Sequence, residues 1–147
     1  MTDIHPARIH PARIAAEASR TAVRAKDKQA WLALFADDGV VEDPVGRSAF
    51  DPEGRGHHGR DAIAAFWDAT IANADTIEFD YRDSFACGDE VAYVGTIRTS
   101  VGGMRIDAEG VFVYRADGAG RIASLRAFWE VDRAMATATQ EAADTGH

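Results

Sequence analysis

Residues 77–82 read IEFDYR, and this stretch decides the fold because its apolar and charged side chains alternate without a break. A period of two predicts a β-strand with one buried face and one exposed face. Three further segments with strand character follow at residues 91–96, 104–115 and 121–131. The second half of the chain therefore predicts an antiparallel meander.

Glycine-containing turns separate these strands. The sequence reads CGD at residues 87–89, VGG at 101–103 and DGAG at 117–120, and each suits a hairpin turn. Strands of ten or more residues exceed the usual length of about five or six, so we expect the sheet to twist and curl. A curled sheet that is closed by helices encloses a pocket.

Helical patterns precede the sheet. Residues 11–25 are rich in Ala and Arg and carry a narrow apolar stripe, which predicts a first helix. Asp27 can cap a second helix, in which Trp31 and Phe35 share one face and which the DDG sequence at 37–39 ends. Both helices would place apolar side chains against the meander.

A short strand and a third helix complete the predicted order. Residues 40–43, VVED, favour a strand that Pro44 stops, and a loop rich in Gly, Pro and charge follows at 46–60. Ile63 and Phe66 begin a helical pattern that predicts the third helix. The order α-α-β-α-β-β-β-β predicts an α+β domain with helices on one face of the sheet.

Composition excludes several classes of function. The 147 residues include 16 Lys and Arg against 24 Asp and Glu, a formal charge of −8 that argues against nucleic acid or an anionic membrane as the partner. The single cysteine, Cys87, excludes an internal disulfide and a multi-cysteine zinc site, and its turn position favours a packing role. Without an apolar run of membrane-spanning or signal-peptide type, we expect a soluble, cytoplasmic protein.

The domain boundaries follow from the ends of these patterns. The HPARI sequence occurs twice in succession within residues 5–14, which is too few copies for a solenoid. We expect a flexible leader over residues 1–11, one domain over 12–132 and a flexible tail over 133–147, because the tail holds Ala, Thr and acid with little to bury.

Three stretches of the chain carry a family resemblance. They are LFADDGVVEDPVG at residues 34–46, HGRDAIAAFW at 58–67, and GRI at 120–122 followed by AFW at 127–129. Together they resemble the ketosteroid isomerase branch of the nuclear transport factor 2-like superfamily, which includes the SnoaL-like cyclases. The resemblance covers roughly residues 12–132. It implies a cone-shaped curved antiparallel sheet closed by helices, usually as a homodimer, with no cofactor.

The resemblance makes Asp43 the catalytic base. Ketosteroid isomerases use an Asp in this position to take a proton from the carbon between a ketone and an alkene, and to return it two carbons along. The residues support this role, because Pro44 favours an extended Asp43 on the same face as Val41. A carboxylate on an apolar strand face loses solvation and accepts a proton more readily.

The family's oxyanion donors are absent from the positions that align without gaps. Ser19 stands where the family has a tyrosine on the first helix, and Gly110 stands where it has a protonated Asp. The supporting tyrosines are replaced by Phe35 and Trp67. Losing one such donor costs about 10²–10³ in turnover.

Substitute donors can be ranked by residue type and alignment. We place Tyr93 first, because it aligns with a residue that lines the family's pocket and carries a hydroxyl. Tyr114 shares the Gly110 face, and the Trp129 indole can only donate. Ser19 could act through water.

The predicted pocket is apolar and aromatic. Its predicted lining comprises Phe35, Phe66, Trp67, Gly110, Phe112, Tyr114, Leu125 and Trp129, together with Tyr93. Such a lining suits a flat steroid-like or terpenoid ligand. The adjacent His57 and His58 lack the spacing of a helical metal pair, so we expect no metal site and assign these side chains to the surface or to the pocket mouth.

Three functions compete at this point. The first is an isomerase with Asp43 as its base, the second a non-catalytic steroid or lipid carrier, and the third a SnoaL-like cyclase. Epoxide hydrolysis on this fold needs arginine in the pocket, whereas strand parity directs Arg98 and Arg126 outward.

Overall fold

A computed structural model describes residues 10–141 of the chain. The predicted leader over residues 1–9 and the last part of the predicted tail, 142–147, lie outside the described residues. The helices are α1 Pro11–Arg24, α2 Lys28–Ala33, α3 Gly59–Ala69 and α4 Val131–Met135, with a 3₁₀ turn at Ile71–Asn73. The strands are β1 Phe35–Glu42, β2 His57–His58, β3 Thr76–Cys87, β4 Glu90–Val101, β5 Met104–Ala116, β6 Ile122–Trp129 and β7 Thr139–Gln140.

Two capped helices open the described chain. Pro11 occupies the first turn of α1, and the His10 side chain accepts a hydrogen bond from the Ala12 amide. Asp27 caps α2 by accepting from the Ala30 amide, as its position predicted. Small residues let α1 lie close against β3, β4 and β5.

The described residues form a seven-stranded curved sheet in the order β2-β1-β6-β5-β4-β3, with β7 paired to β5. Antiparallel pairing joins β3 through β6, which confirms the meander and the α+β class. The sheet is mixed, however, because β1 runs parallel to β6. Helices cover the inner face of the sheet, and the buried core lies between the two layers.

The first strand begins earlier than the sequence indicated. The second helix ends at Ala33, so Phe35 and the DDG residues 37–39 belong to β1 and do not end a helix. The Ile122 amide donates to the Leu34 carbonyl at 2.8 Å and opens the parallel pairing with β6. Pairing with a strand distant in sequence therefore outweighs the local turn signal.

The predicted tail also differs, because its described part is structured. Val131–Met135 forms α4, and Thr139–Gln140 pairs with β5. The Thr137 hydroxyl ties this segment to the sheet by accepting from the Asp107 amide at 2.8 Å. Backbone and hydroxyl hydrogen bonds thus hold a segment that has few apolar side chains. None of the helices in residues 10–141 has both the length and the apolar content to cross a membrane.

Candidate active site

A cavity of about 600 Å³ lies between the helices and the inner face of the sheet. Of the residues predicted for the site, those that line this cavity are Asp43, Phe66, Phe112, Tyr114, Leu125 and Trp129. Most of the lining is apolar, with Ile77, Phe79 and Ile97 contributed by β3 and β4. The volume and the lining suit a small ligand with an apolar ring system.

Asp43 is a buried carboxyl in the cavity wall. It directly follows β1, and its Oδ1 accepts a hydrogen bond of 2.6 Å from Nε1 of Trp129 at the end of β6. Burial raises the pKa of Asp43 above its ordinary value, while the Trp129 hydrogen bond and the charge of His57 offset part of that rise. The site therefore holds a carboxylate that accepts protons more readily than one in water.

His57 faces this carboxyl from the neighbouring strand. In the β1–β2 pairing His57 lies opposite Val41, which shares a strand face with Asp43. Its ring centroid lies 5.0 Å from that of Phe66, and the imidazole is only half-buried. The sequence predicted His57 at the surface or at the pocket mouth, because no local pattern predicts that the loop at 46–60 returns to pair with β1.

A row of polar groups links α2 to the far wall of the cavity. Nε1 of Trp31 donates to the Ser19 hydroxyl at 3.0 Å, and both Ser19 and Tyr114 line the cavity. Burial raises the pKa of Tyr114 to about 12, although a hydrogen bond from Ser19 and the charge of Arg20 act in the opposite direction. Tyr114 therefore stays protonated at neutral pH and can donate a hydrogen bond into the cavity.

Tyr93 lies behind the cavity wall. Its ring stacks on Tyr81 at 4.8 Å and meets Tyr114 edge-on at 6.1 Å, but Tyr93 is not part of the cavity lining. Its hydroxyl is buried and has no hydrogen-bond partner in the described chain. Of the two candidate tyrosines, Tyr114 and not Tyr93 reaches the cavity.

Gly110 also lies outside the cavity lining. It pairs with Trp129, and a Cβ built on it would lie 2.0 Å from the Phe128 carbonyl oxygen. Phe112, two residues further along the same strand face, lines the cavity instead. A side chain at 110 is excluded by the close approach of β6.

The remaining predicted aromatics pack in the core beneath the cavity. Phe35 and Trp67 lie 4.7 and 5.2 Å from Trp31 between ring centroids, and neither lines the cavity.

Arg98 and Arg126 pair with Asp80 and Glu42 at 3.1 and 2.7 Å, and neither arginine lines the cavity. No cluster of three or more His, Cys, Asp and Glu side chains in residues 10–141 is placed to hold a metal ion.

Comparisons with known proteins agree with this geometry. The model of the SnoaL-like domain family matches residues 16–125. The crystal structure of RV0760c from Mycobacterium tuberculosis is 38% identical, with 84% of this chain and 93% of that chain covered and a TM-score of 0.80. The same protein in complex with estradiol-17β-hemisuccinate is 38% identical, with 84% and 96% covered and a TM-score of 0.77.

A characterised enzyme gives a similar match. The Δ5-3-ketosteroid isomerase from Mycobacterium sp. is 36% identical, with 89% of this chain and 98% of that chain covered and a TM-score of 0.80. The match therefore spans almost the whole of that enzyme.

Proposed function

This chain belongs to the SnoaL-like domain family, and from that premise we propose that it is a steroid Δ-isomerase with Asp43 as its general base. The observation that carries the proposal is the Asp43 carboxyl, buried in the wall of an apolar cavity of about 600 Å³ and bonded to Trp129. Similarity to the mycobacterial ketosteroid isomerase supports the same reaction.

The proposed reaction moves one proton within the substrate. Asp43 takes a proton from the carbon between the ketone and the alkene, and the electrons of that bond generate a dienolate. The protonated carboxyl then delivers the proton two carbons along, which moves the double bond into conjugation with the ketone. Burial favours this step, because it raises the pKa of Asp43 and makes the carboxylate a better proton acceptor. No electrons are exchanged with a cofactor.

Tyr114 is the proposed donor to the dienolate oxygen, in place of Tyr93. The Tyr114 hydroxyl belongs to the cavity wall and carries its proton at neutral pH, whereas Tyr93 lies behind that wall. Ser19 lines the same region, accepts from the Trp31 indole and donates to Tyr114, so the Tyr114 proton is the one left free to donate to the ligand. A donor of this kind stabilises the transition state by roughly 3–4 kcal/mol.

The test is isomerisation of a 3-keto-Δ5 steroid, followed by the ultraviolet absorbance of the conjugated enone. We expect turnover in the wild type and a loss of about 10²–10⁴-fold in Asp43→Asn, with steroid affinity retained. Asp38→Asn is the matched control, because Asp38 is an exposed carboxyl on β1, the strand that Asp43 directly follows. A wild type without turnover, or an active Asp43→Asn, overturns the proposal.

A steroid or lipid carrier is the second candidate. It is favoured by Ser19 and Gly110, which stand where the sequence comparison expects the family's oxyanion donors, and by the estradiol derivative bound to the similar RV0760c. Tight steroid binding without turnover would establish the carrier. Turnover of a polyketide by a protein that neither binds nor isomerises steroids would establish a SnoaL-like cyclase.

We also propose a cytoplasmic homodimer that forms through the outer face of the sheet. Phe85 on β3 is 59% exposed and Phe128 on β6 is 43% exposed, although both lie on strands of the meander. Exposed aromatic side chains on a sheet face are typical of an interface between protein chains. Light scattering should give twice the mass of 15.9 kDa, and Phe128→Glu should give the monomer mass.

A further inference from the structure

Arg20 on α1 has an environment unusual for an arginine. Its guanidinium lies over the rings of Tyr81 and Tyr93, 5.1 and 4.7 Å from their centroids. The side chain is half-buried, its Nη1 atom is buried without a hydrogen-bond partner, and no carboxylate of residues 10–141 lies within 4.0 Å of it. A desolvated cation of this kind is costly unless an anion compensates it.

Two hydroxyls share this environment. Those of Tyr81 and Tyr93 are buried, and neither makes a hydrogen bond of regular geometry within the described residues, although the pKa of Tyr81 is raised by burial and also by the nearby Tyr114. Buried polar atoms without regular partners are rare in folded proteins, and here the Arg20 Nη1 atom and two tyrosine hydroxyls lie in one cluster. Each could donate a hydrogen bond, and together they are suited to an acceptor with negative charge.

The cluster of Arg20, Tyr81 and Tyr93 adjoins the cavity. Ser19, the residue before Arg20, lines the cavity. The Tyr81 ring lies 5.5 Å from Phe112, and the Tyr93 ring lies 6.1 Å from Tyr114, both of which are lining residues. The donors of Arg20, Tyr81 and Tyr93 therefore lie directly behind residues of the cavity lining, in contact with them.

We propose that the Arg20 cluster is a subsite for an acidic oxygen group, such as a carboxylate, at one end of a ring-shaped ligand. The subsite rests on the proposed ligand cavity but not on the isomerase reaction. A guanidinium can bind a carboxylate through two parallel hydrogen bonds, and its long side chain can follow the ligand. The chain as a whole carries a charge of −8, so attraction of an acid here is local to Arg20.

The test compares a steroid carboxylic acid with its primary amide, which has the same shape without the charge. Affinities are measured by titration calorimetry. We expect the wild type to bind the acid at least tenfold more tightly than the amide. Arg20→Met should abolish this preference and leave the affinity for the amide within about twofold, whereas Arg20→Lys should keep part of the preference because it keeps the charge.

Arg24→Met is the matched control. Arg24 lies one turn along the same helix, is exposed and stacks on Phe79 at 5.5 Å, so its removal changes the net charge equally. The control should keep the full preference for the acid. Equal affinities in the wild type, an unchanged preference in Arg20→Met, or an equal loss in Arg24→Met would each overturn the subsite.

Two measurements separate misfolding and a failed isomerase from a failed subsite. Thermal melting and amide binding establish that Arg20→Met is folded, and Arg20→Gln replaces it if it is not. The acid-to-amide ratio needs no turnover, so it stands even if the wild type does not isomerise steroids.

Discussion

Nε1 of Trp129 and Oδ1 of Asp43 lie 2.6 Å apart and join the end of β6 to the residue that follows β1. The two strands are parallel neighbours, with Glu42 opposite Arg126, so their ends arrive at the same side of the cavity. The indole N–H favours the ionised carboxyl, whereas burial favours the protonated one. The balance between these two effects sets the pH above which Asp43 is ionised, as the proposed base must be.

Trp129→Phe should raise the pKa of Asp43 further above its ordinary value, because burial then acts without the indole hydrogen bond. The sign follows from the role of the group: a base must be ionised, so the acid limb of kcat/KM moves to higher pH. We expect kcat/KM to fall by roughly tenfold or more on the acid limb and by much less on the alkaline plateau. A pH profile lowered equally at every pH would contradict this account and indicate lost ligand packing.

His57→Gln should move the same limb in the same direction by a smaller amount. The charge interaction with His57 lowers the pKa of Asp43, so removing the imidazole leaves the effect of burial less opposed. We expect kcat/KM on the acid limb to fall by two- to fivefold at low salt, which is the size of a charge interaction across a partly exposed site. High salt should shrink the difference from the wild type.

His58→Gln is the control for this substitution. His58 is exposed and its Nε2 bonds to the Arg55 carbonyl, so it is a neighbouring histidine without a contact to the carboxyl. The pH profile of kcat/KM for His58→Gln should overlay that of the wild type. A shift in His58→Gln equal to that in His57→Gln would assign the effect to net charge.

The sequence predicted what local patterns determine. The alternation at 77–82 and the glycine turns set the meander, α1 begins at residue 11 as predicted, and the Asp27 cap falls where α2 begins. Asp43 was identified from the motif that contains it, and the structure places it in the cavity wall.

Long-range pairing explains what local patterns missed. Phe35 was assigned to a helix, but it belongs to β1 because β6 pairs with it. His57 faces Asp43 only because β2 returns beside β1. A gap-free alignment ranked Tyr93 above Tyr114 as a donor. In the structure Tyr93 stacks on Tyr81 and lies outside the cavity lining.

Asp43→Asn should stabilise the fold at neutral pH while it removes activity. The folded-state pKa of Asp43 is raised, so the folded protein binds this proton more tightly than the unfolded chain does. Stability therefore falls as the pH rises from the unfolded pKa of 3.8 through the raised folded value. Asparagine stays neutral and can still accept the Trp129 hydrogen bond.

We expect the melting temperature of Asp43→Asn to exceed that of the wild type at pH 7 by about 3 °C or more, or roughly 1 kcal/mol for a chain of this length. The difference should vanish below pH 3.8, where the wild-type carboxyl is protonated in both states. Asp38→Asn, at an exposed site, should give no gain. Equal melting temperatures of Asp43→Asn and the wild type at pH 7 would show that the buried carboxyl carries no ionisation penalty.

Tyr114→Phe and Tyr93→Phe should separate the two candidate donors. Tyr114 reaches the cavity, so its loss should lower kcat by roughly 10²–10³ with little change in KM. On the same neutral substrate, the loss in Tyr93→Phe should be at least tenfold smaller. The hydroxyl of Tyr93 is buried and unpaired, so its removal should leave the melting temperature equal or higher. The reverse order of the two losses would restore Tyr93 as the donor.

Gly110→Ala should destabilise the sheet and weaken the base at the same time. An added Cβ would lie 2.0 Å from the Phe128 carbonyl oxygen and 3.1 Å from the Trp129 Cβ, so β6 must move. We expect the free energy of unfolding, measured by urea denaturation, to fall by about 3 kcal/mol or more. The acid limb of the kcat/KM profile should move to higher pH, as in Trp129→Phe. Gly118→Ala is the control, because a Cβ there meets nothing within 4 Å.

Gly110→Asp should consequently fail to supply the family's second oxyanion donor. Its side chain would enter the space that β6 occupies, and the displaced Trp129 would no longer orient Asp43. We expect less turnover than in the wild type and a lower melting temperature. A stable, faster Gly110→Asp would show that the strand can open at this point. The same result would show that the missing donor, and not the position of Asp43, limits the rate.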